Sequence, residues 1–162
     1  AQVRLRHPQA ELVIADKAYA DEAPHREALK AQILSLGLAA HVHWLGFRED
    51  VREVMASVDY GVIPSLTSEM NCRVAMEFFS AGTPVVAFPT GALPEVVEHN
   101  VTGIVTPDKS PQALAGVLGT LIANPGLRHL MVQHARDAVM RRFSRARFLE
   151  DTVAVYSAPL TR

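Results

Sequence analysis

Between Tyr60 and Ala87 the sequence passes from an apolar run through a polar loop and a helical pattern into a second apolar run. The helical pattern ends at Gly82, and Pro84 opens the second run. A strand, a crossover helix and a second strand in close succession favour parallel pairing, because parallel strands need a connection of about a dozen or more residues. This segment therefore predicts an α/β fold built on a parallel sheet.

The rest of the chain repeats that alternation, which predicts a parallel sheet flanked by helices in a single domain over residues 1–162. Gly37 is placed to end the first long helix, while Ser110 and Ser144 are placed to cap later ones. The predicted strands cover 11–15, 41–44, 59–63, 84–88 and 103–105. The predicted helices cover 25–36, 71–81, 93–98 and 144–157, with others that begin near 49–50, 110 and 124.

The helix predicted over 71–81 is the most informative element for function. Its N-terminus presents unpaired N–H groups and partial positive charge, which is a ready site for phosphate. Glu69 precedes the first turn and Glu77 leans back toward it, so both carboxylates can accept hydrogen bonds from sugar hydroxyls. A ligand with both phosphate and sugar is therefore indicated. The predicted buried stripe consists of Val74, Ala75, Phe78 and Ala81.

Each glutamate also has a simpler explanation. Glu77 can form an ion pair with Arg73 one turn earlier, which is worth about 0.2–0.5 kcal/mol. Glu69 can simply complement the helix dipole. Neither explanation accounts for two carboxylates that flank one anion site.

Composition narrows the function classes. The net charge of −1 gives no bulk attraction to nucleic acid. A single cysteine, Cys72, excludes an internal disulfide and suits a reducing compartment. No apolar run approaches the ~20 residues that span a bilayer. A cytoplasmic location is expected, with a peripheral position at the inner face of the cytoplasmic membrane as the alternative.

Three smaller groups of residues are also candidate sites. His41 and His43 share one strand face, but no carboxylate lies close to them in sequence, so no metal is expected there. Cys72 is interpreted as a small packed residue rather than a nucleophile, because no base accompanies it. The arginines near the chain end predict a solvated helix face, with contact to an anionic membrane or acceptor as the alternative; they are Arg136, Arg141, Arg142, Arg145 and Arg147.

An ordered set of motifs resembles the large family 4 of retaining glycosyltransferases with the GT-B fold. Glu69 and Glu77 match that family's E-x7-E motif, and Ala81-Gly82-Thr83-Pro84-Val85-Val86 resembles its A-x-G-x-P-V-V stretch. Three further segments are similar to its V-x-F-L-G, G-x-x-P-E-(I/V)-V and N-G-x-T-G-x-L-V segments: 42–47, 91–97 and 100–105. The resemblance runs from about 8 to 156, nearly the whole chain.

The resemblance implies the C-terminal, Rossmann-like, donor-binding half of such an enzyme. It assigns Glu69 to hydroxyls of the donor sugar, as the catalytic carboxylate, and Glu77 to the ribose. It assigns the diphosphate to the N–H groups of Cys72, Arg73 and Val74, with Ser68 and Asn71 lining the site. It assigns the nucleotide base to the turn Gly46-Phe47-Arg48.

The chemistry that this resemblance implies is retaining transfer of a sugar from a nucleotide-diphosphate sugar to a polysaccharide, lipopolysaccharide or glycolipid. Metal is not required, and neither is a protein nucleophile. Two other functions remain open at this point: a non-catalytic nucleotide-sugar-binding module, and a sugar-nucleotide epimerase of the same fold.

Two departures from the family pattern set further expectations. The loop has Glu69-Met70-Asn71-Cys72 where the family usually has E-G-F-G, so the phosphate site can be narrower. The family's first strand, its following basic G-R-x-x-x-x-K-G segment and its N-terminal acceptor-binding domain have no counterpart. We therefore expect a fragment that is inactive alone and that self-associates or is marginally stable, because the missing strand is central to the sheet.

Overall fold

The computed structural model describes residues 1–17 and 19–158, so positions 18 and 159–162 of the expected domain lie outside the described residues. The strands are β1 (Leu12–Ala15), β2 (Val42–Gly46), β3 (Gly61–Ile63), β4 (Val85–Ala87) and β5 (Gly103–Val105). The α-helices are α1 (Gln2–Arg6), α2 (Ala23–Ser35), α3 (Val51–Ser57), α4 (Arg73–Ala81), α5 (Leu93–Val96), α6 (Pro111–Ile122), α7 (Pro125–Arg142) and α8 (Arg145–Ser157). The predicted alternation of strands and helices is confirmed.

The strands form two parallel sheets rather than one. One sheet has the order β1-β2, with Leu12 opposite Val42. The other has the order β3-β4-β5, with Val62 opposite Val86 and Val86 opposite Ile104. Direct pairing of β1 with β3 would be one response to a missing central strand, and within the described residues it does not occur. Self-association and marginal stability remain predictions.

Strand β4 lies at the centre of the core and is buried on both faces. Val85 and Ala87 pack with Phe79 of α4 and Ala135 of α7, whereas Val86 packs on the opposite face with residues of α6 and α7. Side chains alternate between the two faces of a strand, so a run of three apolar residues can serve two helical layers at once. This layering fixes α4, and with it the candidate site.

The buried stripe of α4 differs from the predicted one. Val74 is 44% exposed, whereas Cys72, Ala75 and Phe79 are fully buried. The stripe starts one position before the helix because Cys72, the residue at its N-cap, itself enters the core. Phe78 is partly buried against that core instead of lying at the centre of the stripe. The prediction was right for Ala75 and wrong for Val74.

The predicted helix ends are confirmed at several positions. Gly82 follows α4 with φ of 79°, a left-handed conformation in which glycine carries no Cβ penalty. The hydroxyls of Ser110 and Ser144 accept hydrogen bonds from the N–H groups of Ala113 and Arg147, as expected of N-caps. Gly37 follows the end of α2, also with positive φ.

None of the described helices combines the length and apolar character that crossing a bilayer requires.

Candidate functional site

The loop that leaves β3 carries Glu69 and is tied to the neighbouring strands. The hydroxyl of Ser65 donates to Oε2 of Glu69 at 3.0 Å, and the N–H of Ala92 donates to the Glu69 carbonyl at 2.9 Å. Thr90, which is 2% exposed, donates its hydroxyl to the carbonyl of Ser65. The side chain and the backbone of Glu69 are therefore both fixed at the carboxyl edge of the three-stranded sheet.

Gly91 allows the loop after β4 to approach Glu69 this closely. Its φ is 53°, and a Cβ at this position would lie 2.2 Å from the carbonyl oxygen of Glu69. That separation is far inside van der Waals contact, so any side chain here would displace the Glu69 loop. The close approach of the Glu69 loop thus explains why the 91–97 segment begins with glycine.

The N-terminus of α4 opens next to Glu69. The residue at its N-cap is Cys72, with φ of 48°, and its thiol donates to the Glu69 carbonyl at 3.7 Å. Among the described residues, no side chain caps this helix. Arg73 and Val74 are exposed, so their N–H groups are open to an anion, whereas Cys72 is fully buried. Ser68 and Asn71 are exposed beside them.

The environment of Cys72 argues against a nucleophilic role. Burial raises the pKa of the thiol, and the nearby carboxylates of Glu69 and Glu95 raise it further. The thiol therefore stays protonated at neutral pH, and only the thiolate is an effective nucleophile. The interpretation of Cys72 as a packed residue agrees with this environment.

Glu77 forms the ion pair with Arg73 that is its simpler explanation. Its Oε1 lies 3.4 Å from a guanidinium nitrogen of Arg73, and both side chains are exposed. The two residues also line a cavity of about 160 Å³ between α4 and α7, together with Met76 and Phe143. An exposed pair of this kind is weak, so it leaves the carboxylate available to a ligand.

The proposed base turn lies on the other sheet. Gly46 ends β2, Phe47 is 64% exposed, and Nε of Arg48 donates to Asp50 at 2.7 Å. No hydrogen bond or ion pair in the described parts of the chain joins this turn to Glu69 or Glu77. The structure therefore brings together the predicted sugar and phosphate groups, while the base turn stays on a separate sheet.

His43 of β2 and His41, which directly precedes β2, share a partner that the sequence reasoning missed. Glu11 accepts hydrogen bonds from Nδ1 of His41 at 3.1 Å and from Nε2 of His43 at 2.8 Å. The parallel register explains this contact, because the residue before Leu12 faces the residue before Val42. No group of three suitable side chains in the described residues could hold a metal ion.

Two of the five arginines near the chain end, Arg142 and Arg147, contact acidic partners. Arg142 contacts the carboxylate of Glu98 and donates to the carbonyl of Glu95 at 2.9 Å. Arg147 pairs with Asp151 at 2.9 Å on α8. These contacts favour the interpretation as a solvated helix face over contact with a membrane.

Sequence reasoning also missed the residues that hold the Glu69 loop, namely Ser65, Thr90, Gly91 and Lys109. Their positions carried a usable signal, since all four follow the carboxyl ends of β3, β4 or β5. Ligand sites of open α/β sheets lie at those ends.

The fold and these contacts define an α/β protein whose candidate ligand site lies at the carboxyl ends of parallel strands, beside an open helix N-terminus. Within that class, the chain belongs to the family described as glycosyl transferases group 1, whose profile matches residues 1–138. Its fold is that of the C-terminal half of a GT-B glycosyltransferase.

Relatives of known sequence and structure agree with this assignment. The chain is 32% identical over 154 residues to an uncharacterized glycosyltransferase of Methanocaldococcus jannaschii, covering 94% of the chain and 38% of that protein. It is 32% identical to the D-inositol 3-phosphate glycosyltransferase of Jonesia denitrificans, covering 79% of the chain and 30% of that protein.

Among solved structures, Anabaena HepE in complex with UDP superposes with a TM-score of 0.88 at 30% identity, covering 96% of the chain and 43% of HepE. HepE in complex with UDP-glucose gives a TM-score of 0.86. The chain thus spans about two fifths of the length of HepE and of the Methanocaldococcus relative.

Proposed function

We propose that this chain binds a nucleotide-diphosphate sugar and forms the donor-binding part of a retaining glycosyltransferase of family 4. The observation that carries the proposal is the Glu69 carboxylate, which is fixed by Ser65 beside the uncapped N-terminus of α4. A carboxylate beside an anion site suits a ligand whose sugar hydroxyls adjoin a phosphate.

Each part of the ligand has a counterpart in this proposal. The N–H groups of Arg73 and Val74 hold the diphosphate, and the carboxylate of Glu69 accepts hydrogen bonds from the sugar. Glu77 leaves its weak pair with Arg73 to accept hydrogen bonds from the ribose. Gly46-Phe47-Arg48 receives the base from the neighbouring sheet.

The oriented N–H groups of α4 also supply the chemistry proposed for transfer. Negative charge develops on the departing diphosphate, and preorganised donors stabilise it without reorganising. The departing phosphate oxygen takes the proton of the acceptor hydroxyl on the face from which it leaves, which retains the configuration of the sugar. No protein nucleophile and no metal is required in this scheme, and the buried thiol of Cys72 has no part in it.

The proposal draws support from HepE, which binds UDP and UDP-glucose in its solved complexes. The acceptor, which we take to be a polysaccharide, lipopolysaccharide or glycolipid, is bound by a further domain. Because the chain spans only part of its relatives, the step that we expect it to perform by itself is donor binding. A cytoplasmic location, with peripheral contact to the inner face of the membrane, fits such acceptors.

Titration calorimetry with UDP and with UDP-glucose tests the proposal. The parent chain should bind both, and Glu69→Gln should lower the affinity for UDP-glucose about tenfold while sparing UDP, because only the sugar contacts are lost. Glu27→Gln is the matched control, since it removes an exposed carboxylate that pairs with Lys30.

Two results would count against the proposal. Failure of the parent to bind either ligand would reject a nucleotide-sugar site. Equal losses of affinity for UDP and for UDP-glucose in Glu69→Gln would show that Glu69 does not contact the sugar. If binding is normal but the chain joined to an acceptor domain transfers no sugar, the non-catalytic binding module becomes the better description.

A further inference from the structure

The loop that carries Glu69 is anchored through its backbone carbonyl groups. The carbonyl of Ser65 accepts from the hydroxyl of Thr90, and that of Glu69 accepts from the N–H of Ala92. Between them, the carbonyl of Leu66 accepts from Nζ of Lys109 at 2.8 Å. Each donor belongs to the loop after β4 or after β5, so the site loop is held from two neighbouring strands.

Lys109 differs from the other two donors in being an exposed, flexible side chain. An exposed lysine loses rotamer freedom when its ammonium group is fixed, so such a contact persists best where the backbone that carries the lysine is already rigid. The backbone around Lys109 is held in this way. Thr106 donates to the carbonyl of Asp108 at 2.6 Å, and the N–H of Ser110 donates to the Asp108 carboxylate at 2.8 Å.

The part of the loop that Lys109 contacts lacks burial of its own. Leu66 is 61% exposed, Met70 is 83% exposed, and Thr67 and Ser68 are also exposed. A segment with so little buried apolar area opens easily unless hydrogen bonds hold it. Lys109 supplies such a bond in the stretch between the anchored carbonyls of Ser65 and Glu69.

We propose that Lys109 is a positioning residue that holds the Glu69 loop, and through it the carboxylate that faces the donor sugar. The part of this inference that concerns sugar recognition rests on the proposed function. The Lys109 ammonium acts on the Leu66 carbonyl and not on the ligand. Its removal should therefore loosen the loop and weaken sugar recognition, while the diphosphate site at α4 stays intact.

Hydrogen exchange and calorimetry on three variants test this role. Lys109→Met removes the ammonium group and keeps the length of the side chain, Lys109→Arg retains a donor, and Lys30→Met is the control at an exposed lysine of α2. In Lys109→Met without ligand, exchange of the Ala92 amide, whose N–H donates to the Glu69 carbonyl, should rise about three- to tenfold, and the affinity for UDP-glucose should fall by a similar factor. UDP affinity should be unchanged, and Lys109→Arg should restore both properties.

The two readouts separate the possible failures. Unchanged exchange of the Ala92 amide in Lys109→Met overturns the inference whatever the ligands do. Faster exchange with equal losses of UDP and UDP-glucose also overturns it, because the effect then reaches the phosphate site. If the parent binds no UDP-glucose, the proposed function fails, and the exchange experiment alone decides whether Lys109 holds the loop.

Discussion

Cys72 combines complete burial with a left-handed backbone, a conformation that favours glycine. Its φ of 48° lies in a region that costs a residue with a side chain about 1–2 kcal/mol. The thiol offsets part of that cost, because it fills the core between Ala75 and Phe79 and contacts the Glu69 carbonyl. A glycine in its place would relieve the backbone and leave a hole beside the turn that is proposed to bind phosphate.

The protonated, buried thiol should resist alkylation. In the native chain, Cys72 should react with iodoacetamide far more slowly than in the denatured chain, because burial removes access and raises its pKa. Mass spectrometry of samples quenched at intervals measures both rates. Similar rates in the two states would contradict the packing that the structure shows for this residue.

Replacement of Glu77 tests the ribose contact. Glu77→Ala should weaken binding of UDP and of UDP-glucose alike, by about 1.5–3 kcal/mol, because hydrogen bonds between a charged group and hydroxyls are lost. Calorimetry measures both affinities. Glu27→Ala, which breaks a comparable exposed pair with Lys30, serves as the control. Undiminished affinity in Glu77→Ala would show that the carboxylate does no more than pair with Arg73.

At the scale of elements, α1 and the β1-β2 sheet are joined by one polar cluster. Glu11 accepts from His41 and His43, and Arg4 of α1 lies 3.5 Å from Glu11 and 2.8 Å from His41. These contacts link α1 to the N-terminal ends of β1 and β2. Glu11 and His43 are exposed, and Arg4 and His41 are partly buried, so the cluster orients the elements more than it stabilises them.

The cluster should make stability depend on pH in the acid range. Hydrogen bonds from His41 and His43 lower the pKa of Glu11 below its ordinary value of 4.5. A lowered pKa contributes stability that is complete above the unfolded value and is lost as pH falls through the folded one. The parent should therefore be more stable than Glu11→Gln at neutral pH.

Chemical denaturation of the parent and of Glu11→Gln, at neutral pH and in steps below 4.5, measures this difference. The gap between the two free energies of unfolding should shrink as the pH falls. A gap that stays constant through the acid range would show that Glu11 is not linked to the histidines in the folded state.

Element types were predictable from the sequence because each is signalled locally. The 84–88 run, the Gly82 stop and the Ser110 cap are all set by neighbouring residues, and the structure has each of them. The division into two sheets was not predictable in the same way, because pairing depends on residues distant in the chain. The buried face of α4 was misplaced for a related reason, since entry of Cys72 into the core rotates the stripe.

The candidate site was predicted only in part. Glu69 and the α4 N-terminus follow from the sequence because strand, loop and helix are contiguous. The groups that fix the Glu69 loop lie after other strands and show no local pattern in the sequence; they are Thr90, Ala92 and Lys109. The Glu11 contact could have been found, since the register of two parallel strands places it beside His41.

At the scale of the whole molecule, several surfaces suited to association are exposed. In the described part of the chain, β1 pairs only with β2 and β3 pairs only with β4, so each has one free edge. Free strand edges readily pair with another chain. Helix α8 has no buried residue, and Phe148, Leu149, Val153 and Tyr156 are each more than half exposed.

The 162-residue chain should therefore self-associate. Sedimentation velocity over a range of concentrations should show a weight-average mass that rises with concentration, because the exposed strand edges and apolar surface bind a second copy. The variant Phe148→Lys/Tyr156→Lys separates the two surfaces. Association that persists in this variant belongs to the strand edges, and association that disappears belongs to α8. A monomer at every concentration would contradict the prediction.

The groups proposed to recognise the sugar are encoded in one short stretch of the gene. Ser65, Glu69, Thr90, Ala92 and Lys109 all lie between β3 and the start of α6, while the base turn at 46–48 lies on the other sheet. Recombination that exchanged the stretch from 61 to 110 would carry sugar preference into a new host with its supports complete. Nucleobase preference would stay with the recipient. Under the proposed function, sugar preference and nucleobase preference would therefore be inherited separately.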